Sequence, residues 1–212
     1  MHNSGFINRV IQGDCLAVLP QLPAASVDLV LTDPPYLVSY RDRSGRSLAN
    51  DSDGAWLKPA FAEVFRVLKP GRFCVSFYGW QKADEFLAAW RAAGFHPVGH
   101  VVWVKSYNSS RRGLLASQHE QAYVLAKGRA VVPAFQLPDV LDWQYTGNRF
   151  HPTQKPVRSL KPVIEAFSRS GEVVLDPFCG SGSTLLAAKI LGRRYVGIEL
   201  EAEYCLAARR RL

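Results

Sequence analysis

The sequence predicts an α/β protein, a sheet with helices packed on its faces, and three observations lead there. Short apolar runs alternate with segments whose apolar residues recur at helical spacing. Near the C-terminal end, EVVLDPFCGSGSTLLAAKILGRRYVGIELE, residues 172–201, reads as strand, glycine turn, helix and second strand, the unit of a parallel sheet. The chain has 212 residues, 48% of them apolar, which suits one α/β domain with a sizeable core but is short for two. No repeat, low-complexity tract or linker divides it, so residues 1–212 are expected to form a single domain.

The elements follow in order. A strand is expected at 7–11 and an apolar one at 27–31. A polar loop over 37–54 has no regular period and carries Arg41, Arg43 and Arg46. Trp56, Leu57, Phe61, Val64, Phe65 and Leu68 fall on one face of a helix, and Lys69, Pro70 and Gly71 end it. A strand over 73–78 precedes a helix over 81–93, with Phe86, Leu87 and Trp90 inward and Gly94 as its stop. Strands over 98–104 and 122–126 are joined by the polar SYNSSRRGLLASQHE, and 128–150 reads as irregular. A helix over 157–169 buries Leu160, Val163, Ile164 and Phe167. Strand 172–175, the glycine turn, helix 184–191, strand 194–198 and a helix running into RRRL complete the chain.

Charge and composition narrow the function classes. The formal net charge of +8 suits anionic partners, nucleic acid first, and equally a merely basic surface. No apolar run approaches the roughly 20 residues of a membrane span. The opening MHNSGFINRVIQGD lacks the basic-then-apolar build of a signal peptide. Cys15, Cys74, Cys179 and Cys205 are scattered, with no pair at zinc-ligand spacing, and read as reduced thiols of a cytoplasmic protein. The five histidines form no metal cluster, and His119-Glu120 lacks the second histidine of a zinc-protease helix, so no metal is expected.

Two stretches carry the chemistry. In the first, the strand at 27–31 runs into Asp33, Pro34, Pro35 and Tyr36. Taken alone the prolines end a strand. They also hold a carboxylate, a carbonyl and an aromatic ring at the mouth of a site. In the second, Gly180 and Gly182 let backbone approach a ligand at the carboxyl end of a strand. Glu199 ends the next strand, near the spacing of roughly 20 residues at which an acid grips ribose hydroxyls. The third glycine of a dinucleotide fingerprint is replaced by Leu185, so a nucleoside cofactor without a pyrophosphate fits better.

Four motifs in one order then carry a resemblance. DPFCGSGST (176–184) resembles the S-adenosylmethionine motif of the DNA amino-methyltransferases, and HPTQKP (151–156) their block just ahead of it. GDC (13–15) and SVDLVLTDPPY (26–36) resemble their adenine-contact and catalytic motifs. With the catalytic half first, the order is similar to that of the beta group, which modifies adenine at N6 or cytosine at N4. The resemblance spans residues 11–204. It implies a Rossmann-like methyltransferase fold, three layers α/β/α around a mostly parallel sheet, with circularly permuted motif order. It also implies S-adenosylmethionine as cofactor, bacterial or phage DNA as partner, double-stranded or locally single-stranded, and homodimers as a common state.

The roles it implies are specific. Asp176 and Phe178 line the methionine and adenine parts of the cofactor, above the turn of Gly180 and Gly182. Glu199 binds the ribose. Asp14 faces the adenine amino group, beside the Cys15 backbone. Thr153 and Lys155 lie near the methionine carboxylate, and Asp33 borders both cofactor and target. An exocyclic amine is a poor nucleophile because its lone pair is delocalised into the ring. The Asp33 carboxylate and the Pro34 carbonyl, held extended by Pro35, would each accept one N–H and favour the pyramidal nitrogen that attacks. Tyr36 would stack against a flipped base.

DNA contacts are expected from Arg41, Arg43 and Arg46, from Arg111 and Arg112, and from WQYTGNRF (143–150) with Asn148 and Arg149. The last stretch equally suits packing. It belongs to a short target-recognition segment, 128–150. In the group, Asp at the first catalytic position is associated with adenine and Ser with cytosine. The reading is an adenine N6-methyltransferase. Cytosine N4 methylation, protein amide methylation (which resembles this chemistry but usually carries Asn at that position) and a non-catalytic DNA-binding protein stand as alternatives.

Overall fold

The computed structural model describes residues 5–38, 51–109, 114–145 and 153–212. Strand β1 (Arg9–Gln12) and short helix α1 (Cys15–Val18) open it, then β2 (Val27–Thr32), α2 (Leu57–Val67), β3 (Leu68–Phe77) and α3 (Ala83–Ala93). The hairpin β4 (His96–Val104) and β5 (His119–Ala126) precedes β6 (Val140–Asp142). Helix α4 (Val157–Phe167), β7 (Val173–Asp176), α5 (Ser183–Ile190), β8 (Arg194–Glu199) and α6 (Ala202–Arg211) complete it.

One eight-stranded sheet runs in the order β1-β8-β7-β2-β3-β5-β4-β6. All neighbours are parallel except where β5 lies antiparallel to β3 and to β4. Every strand but β5 therefore points its carboxyl end to the same edge, and β5 starts from that edge. All six residues of β2 are buried because both faces are covered. Leu29 and Leu31 pack with Leu160, Val163, Leu185 and Ala208 from α4, α5 and α6. Val30 packs on the other side with Phe61, Val64, Phe86 and Trp90 from α2 and α3. This is the three-layer α/β/α arrangement that the resemblance implied, with helices on both faces of the sheet.

Differences from the sequence reading have physical causes. The segment 128–150 contains β6, whose three residues are too few to show a period yet extend the ladder beside β4. Helix α2 stops at Val67 and β3 begins at once with Leu68, ahead of Lys69, Pro70 and Gly71. The Lys127 ammonium takes the carbonyls of Phe65 and Leu68 at 2.6 and 2.7 Å, so a distant cation caps that helix end.

The fold fixes where a ligand lies. From β7 the chain crosses through α5 to β8 on one side, and from β2 through α2 to β3 on the other. Neighbours β7 and β2 are thus the switch point of the sheet, and sheets of this kind take their ligands beyond the strand ends at such a point. The end of β2, which leads into Asp33 to Tyr36, and the end of β7, which leads into the glycine turn, meet there.

Candidate active site

Asp33 follows β2 directly, and Tyr36 turns back onto it. The Tyr36 hydroxyl donates to Asp33 Oδ1 at 2.7 Å. The Lys155 ammonium, brought by the lead into α4, sits 2.6 Å from Asp33 Oδ2 and 3.3 Å from the Tyr36 hydroxyl. Lys155 also lies over the rings of Phe77 (4.9 Å) and Tyr36 (5.5 Å). The resemblance implies a methionine carboxylate as the partner of Lys155. In the structure its charge is engaged by Asp33 and, at 3.7 Å, by Glu120 Oε2.

Electrostatics follow from this packing. Burial raises the Asp33 pKa, and the Lys155 charge and the two hydrogen bonds only partly offset it. Burial works against the Lys155 ammonium, yet Asp33 and Glu120 outweigh it and hold its pKa above the ordinary lysine value. Burial and the neighbouring Asp33 charge push the Tyr36 phenol well up, so it stays a protonated donor. The Asp33 side chain keeps 21% of its surface exposed.

The turn is held by residues the sequence reading passed over. Leu37 is buried and adopts a left-handed φ of 61°, costly for a side chain with a Cβ. Its amide is taken by Asp51 Oδ1 at 2.8 Å. Gly79, just past β3, backs Tyr36: a Cβ there would lie 2.9 Å from Tyr36 Cβ and 3.3 Å from its Cγ. No spacing rule brings Gly79 or Asp51 to Tyr36, because only the pairing of β2 with β3 and the return of the polar loop do.

On the other side of the switch point, Asp176 Oδ1 accepts from the Thr32 hydroxyl at 2.9 Å and the Phe178 amide at 3.1 Å. Burial pushes its carboxyl up to about 7. Gly180 (φ 48°) and Gly182 (φ 80°) form the turn into α5. A Cβ on Gly182 would also meet Ala208 of α6 at 3.0 Å. Glu199 Oε2 accepts the Gly180 amide at 2.8 Å, tying the end of β8 to that turn; burial raises its pKa. Asp14 caps α1 through the Leu16 amide at 2.9 Å, and the Gly13 amide donates to the Glu199 carbonyl at 2.9 Å. Asp14, Glu199 and the glycine turn are thereby adjacent. Phe178 packs edge-on to Trp56 at 5.0 Å. Burial pushes the Cys15 thiol up to about 12, so its side chain is a neutral thiol.

Leu185, where a dinucleotide fingerprint has glycine, packs on Gly197 of β8. The close helix–strand approach is kept, with the glycine on the strand instead. Thr153 is half-buried just ahead of Lys155. In the third candidate DNA stretch, Trp143 is buried, with its Nε1 3.2 Å from the Tyr107 hydroxyl and Lys105 over its ring, so it packs. Tyr145 is 56% exposed. Arg41, Arg43, Arg46, Arg111, Arg112, Asn148 and Arg149 lie outside the described residues.

A glycine turn, paired acids and an Asp-Pro-Pro-Tyr strand end, gathered at the strand ends of a mostly parallel sheet, define the class: an N6/N4-type DNA methylase. The DNA methylase family model matches residues 27–144 and 134–210, and the chain belongs to that family. It is 54% identical over 206 residues to a protein of Escherichia coli (strain K12) bearing the name methylase YubD, covering 97% of this chain and 90% of that one. It is 31% identical over 247 residues to the DNA adenine methyltransferase YhdJ of the same strain, covering 96% and 82%. Among solved structures, the M1.HpyAVI–SAM complex is 25% identical with a TM-score of 0.75, covering 96% of this chain and 99% of that one. The cytosine-N4-specific PvuII DNA methyltransferase, 19% identical with a TM-score of 0.79 over 96% and 85%, shares the fold. Among the described residues no helix is long and apolar enough to cross a membrane.

Proposed function

We propose that this chain is an S-adenosylmethionine-dependent DNA adenine N6-methyltransferase, acting as one catalytic domain on a flipped-out or single-stranded base. The observation that carries it is Asp33, ionisable and part-exposed, at the switch point beside Asp176. The residues suit the cofactor: a two-glycine turn at positive φ, acids at the ends of β7 and β8, and no room for a third glycine's role at Leu185. Similarity to an adenine methyltransferase at 31% identity supports adenine over cytosine.

When bound, S-adenosylmethionine supplies an electrophilic methyl group. Asp176, Phe178, Gly180, Gly182, Glu199, Asp14, the Cys15 backbone and Thr153 would hold it. The protein's part is to prepare the amine. Asp33 accepts one N–H and the Pro34 carbonyl the other, and both offset positive charge growing on nitrogen. Lys155 favours the ionised form of Asp33 against burial. Asp33 then takes the departing proton as general base. Tyr36, backed by Gly79 and Lys155, fixes the wall against which the base lies. The arginines of the polar loop and of the hairpin, with Asn148 and Arg149, contact DNA.

Incubation with unmethylated DNA and labelled cofactor, followed by digestion and mass spectrometry of nucleosides, tests the proposal. N6-methyladenine is the expected product. N4-methylcytosine would replace the adenine reading, and label in protein without label in DNA would overturn both.

A further inference from the structure

Four charged side chains from four parts of the chain meet in one row. Asp33 follows β2, Lys155 precedes α4, Glu120 begins β5 and Lys105 follows β4. Lys155 bridges Asp33 (2.6 Å) and Glu120 (3.7 Å), and Lys105 pairs with the other Glu120 oxygen and reaches Ser109 Oγ at 3.3 Å. Both ammonium groups are almost fully enclosed, their side chains 8% and 6% exposed. Rings of Phe77 and Tyr36 surround one, those of Trp143 and Tyr107 the other. Desolvating two cations can cost as much as their pairing returns, so a row of this kind is weak evidence of stabilisation and draws attention to its place beside Asp33.

We infer that Glu120 is a positioning residue for methyl transfer: it shares the Lys155 ammonium that keeps Asp33 ionised, and so leaves Asp33 basic enough to accept the amine proton. This deepens the proposed function and rests on it. With Lys155 alone, Asp33 would be an ion pair whose charge is largely neutralised, a weak acceptor. With Glu120 pulling on the same cation, part of that charge is returned to Asp33. Lys155 first and Lys105 beside it outweigh burial and hold the Glu120 pKa below its ordinary value. The groups that face this row are Tyr36 beside Asp33, Asp176 from β7, His119 from β5 and Tyr107 beyond β4.

The test is the pH profile of kcat for the full chain on DNA, with Glu120→Gln, Glu120→Asp and Lys155→Met. Removing the Glu120 charge moves the acid limb to lower pH and lowers plateau kcat by about tenfold, a fraction of what a general base supplies. The affinity for S-adenosylmethionine, measured by equilibrium binding, stays within about twofold in Glu120→Gln. Lys155→Met moves the acid limb the opposite way, and Glu120→Asp falls between Glu120→Gln and the parent. An acid limb that stays in place in Glu120→Gln while kcat falls, or that moves the same way in both charge-removing variants, overturns the inference. The Asp33 carboxyl carbon, followed by NMR titration of ¹³C-aspartate-labelled protein, reads the same ionisation without turnover. A parent that methylates no DNA thus refutes the function, while an unmoved Asp33 titration in Glu120→Gln refutes the role of Glu120.

Discussion

Replacing Gly197 by Ala probes the packing beneath the cofactor turn. An added Cβ would stand 2.3 Å from Leu185 Cδ1 and 2.9 Å from Cys179 Sγ. Carbon atoms rest about 3.5–4.0 Å apart, so the leucine must retreat by more than an ångström. Leu185 is fully buried and Cys179 nearly so, which leaves neither an easy way out. Overpacking of this kind costs about 1–3 kcal/mol, against a gain of about 0.8 kcal/mol for the new methyl at best. A net loss of about 1–2 kcal/mol is expected, which lowers Tm by about 2–8 °C in a chain of this length. Leu185→Ala alone is expected to cost about 2–5 kcal/mol through its cavity. In the double variant the new methyl occupies part of that cavity, so the two losses fall short of additivity by about 1 kcal/mol. Urea unfolding of all four proteins measures this. A Gly197→Ala protein as stable as the parent, or a strictly additive double variant, would refute the claim that strand glycine and helix leucine are a matched pair.

Other perturbations address the site. Gly79→Ala keeps an ordinary backbone (φ −79°) but displaces Tyr36, so kcat should drop about tenfold or more with cofactor affinity unchanged; steady-state kinetics showing full activity would rule that out. Burial lifts the native Asp176 carboxyl to about 7 from 3.8, so the native state binds more protons than the unfolded chain between those values. Its contribution to stability is therefore present below pH 4 and lost as pH rises through 7. Asp176→Asn should gain on the order of 1–4 kcal/mol at pH 8 and little at pH 4, while weakening cofactor binding; urea melts with no pH-dependent difference from the parent would contradict this. Arg41→Ala with Arg43→Ala should weaken DNA binding and make the slope of log affinity against log salt shallower by about 2, as two lost phosphate contacts require. An unchanged slope would remove these arginines from the interface.

Much of this was legible in the sequence, and the rest was hidden for definite reasons. The buried strands announced themselves as apolar runs, and α4 as a stripe whose four named residues are all buried. Asp33 to Tyr36, the glycine turn and Glu199 were visible because their chemistry is local: a strand end, a tight turn, a strand end. Glu120 was not, since beside His119 it invited comparison only with a zinc helix, whereas it opens a β-strand. Its meaning lies in Lys105 across the hairpin and Lys155 from another layer, contacts made by the sheet and not by spacing. Lys155 itself was read through its motif, which says where the block lies and not which carboxylate its ammonium meets. Trp143 stood open between stacking and packing, and tertiary burial decided for packing.

The clasp of Asp51 on the Leu37 amide joins two points fourteen residues apart, one of them next to Tyr36. The entropic cost of closing a loop grows slowly with its length, each doubling adding only about 0.6 kcal/mol. The stretch between the two residues is therefore free to be lengthened, shortened or recharged across generations while the tyrosine keeps its place. Length and charge can change between the two anchors at little cost to the clasp that seats the turn after β2.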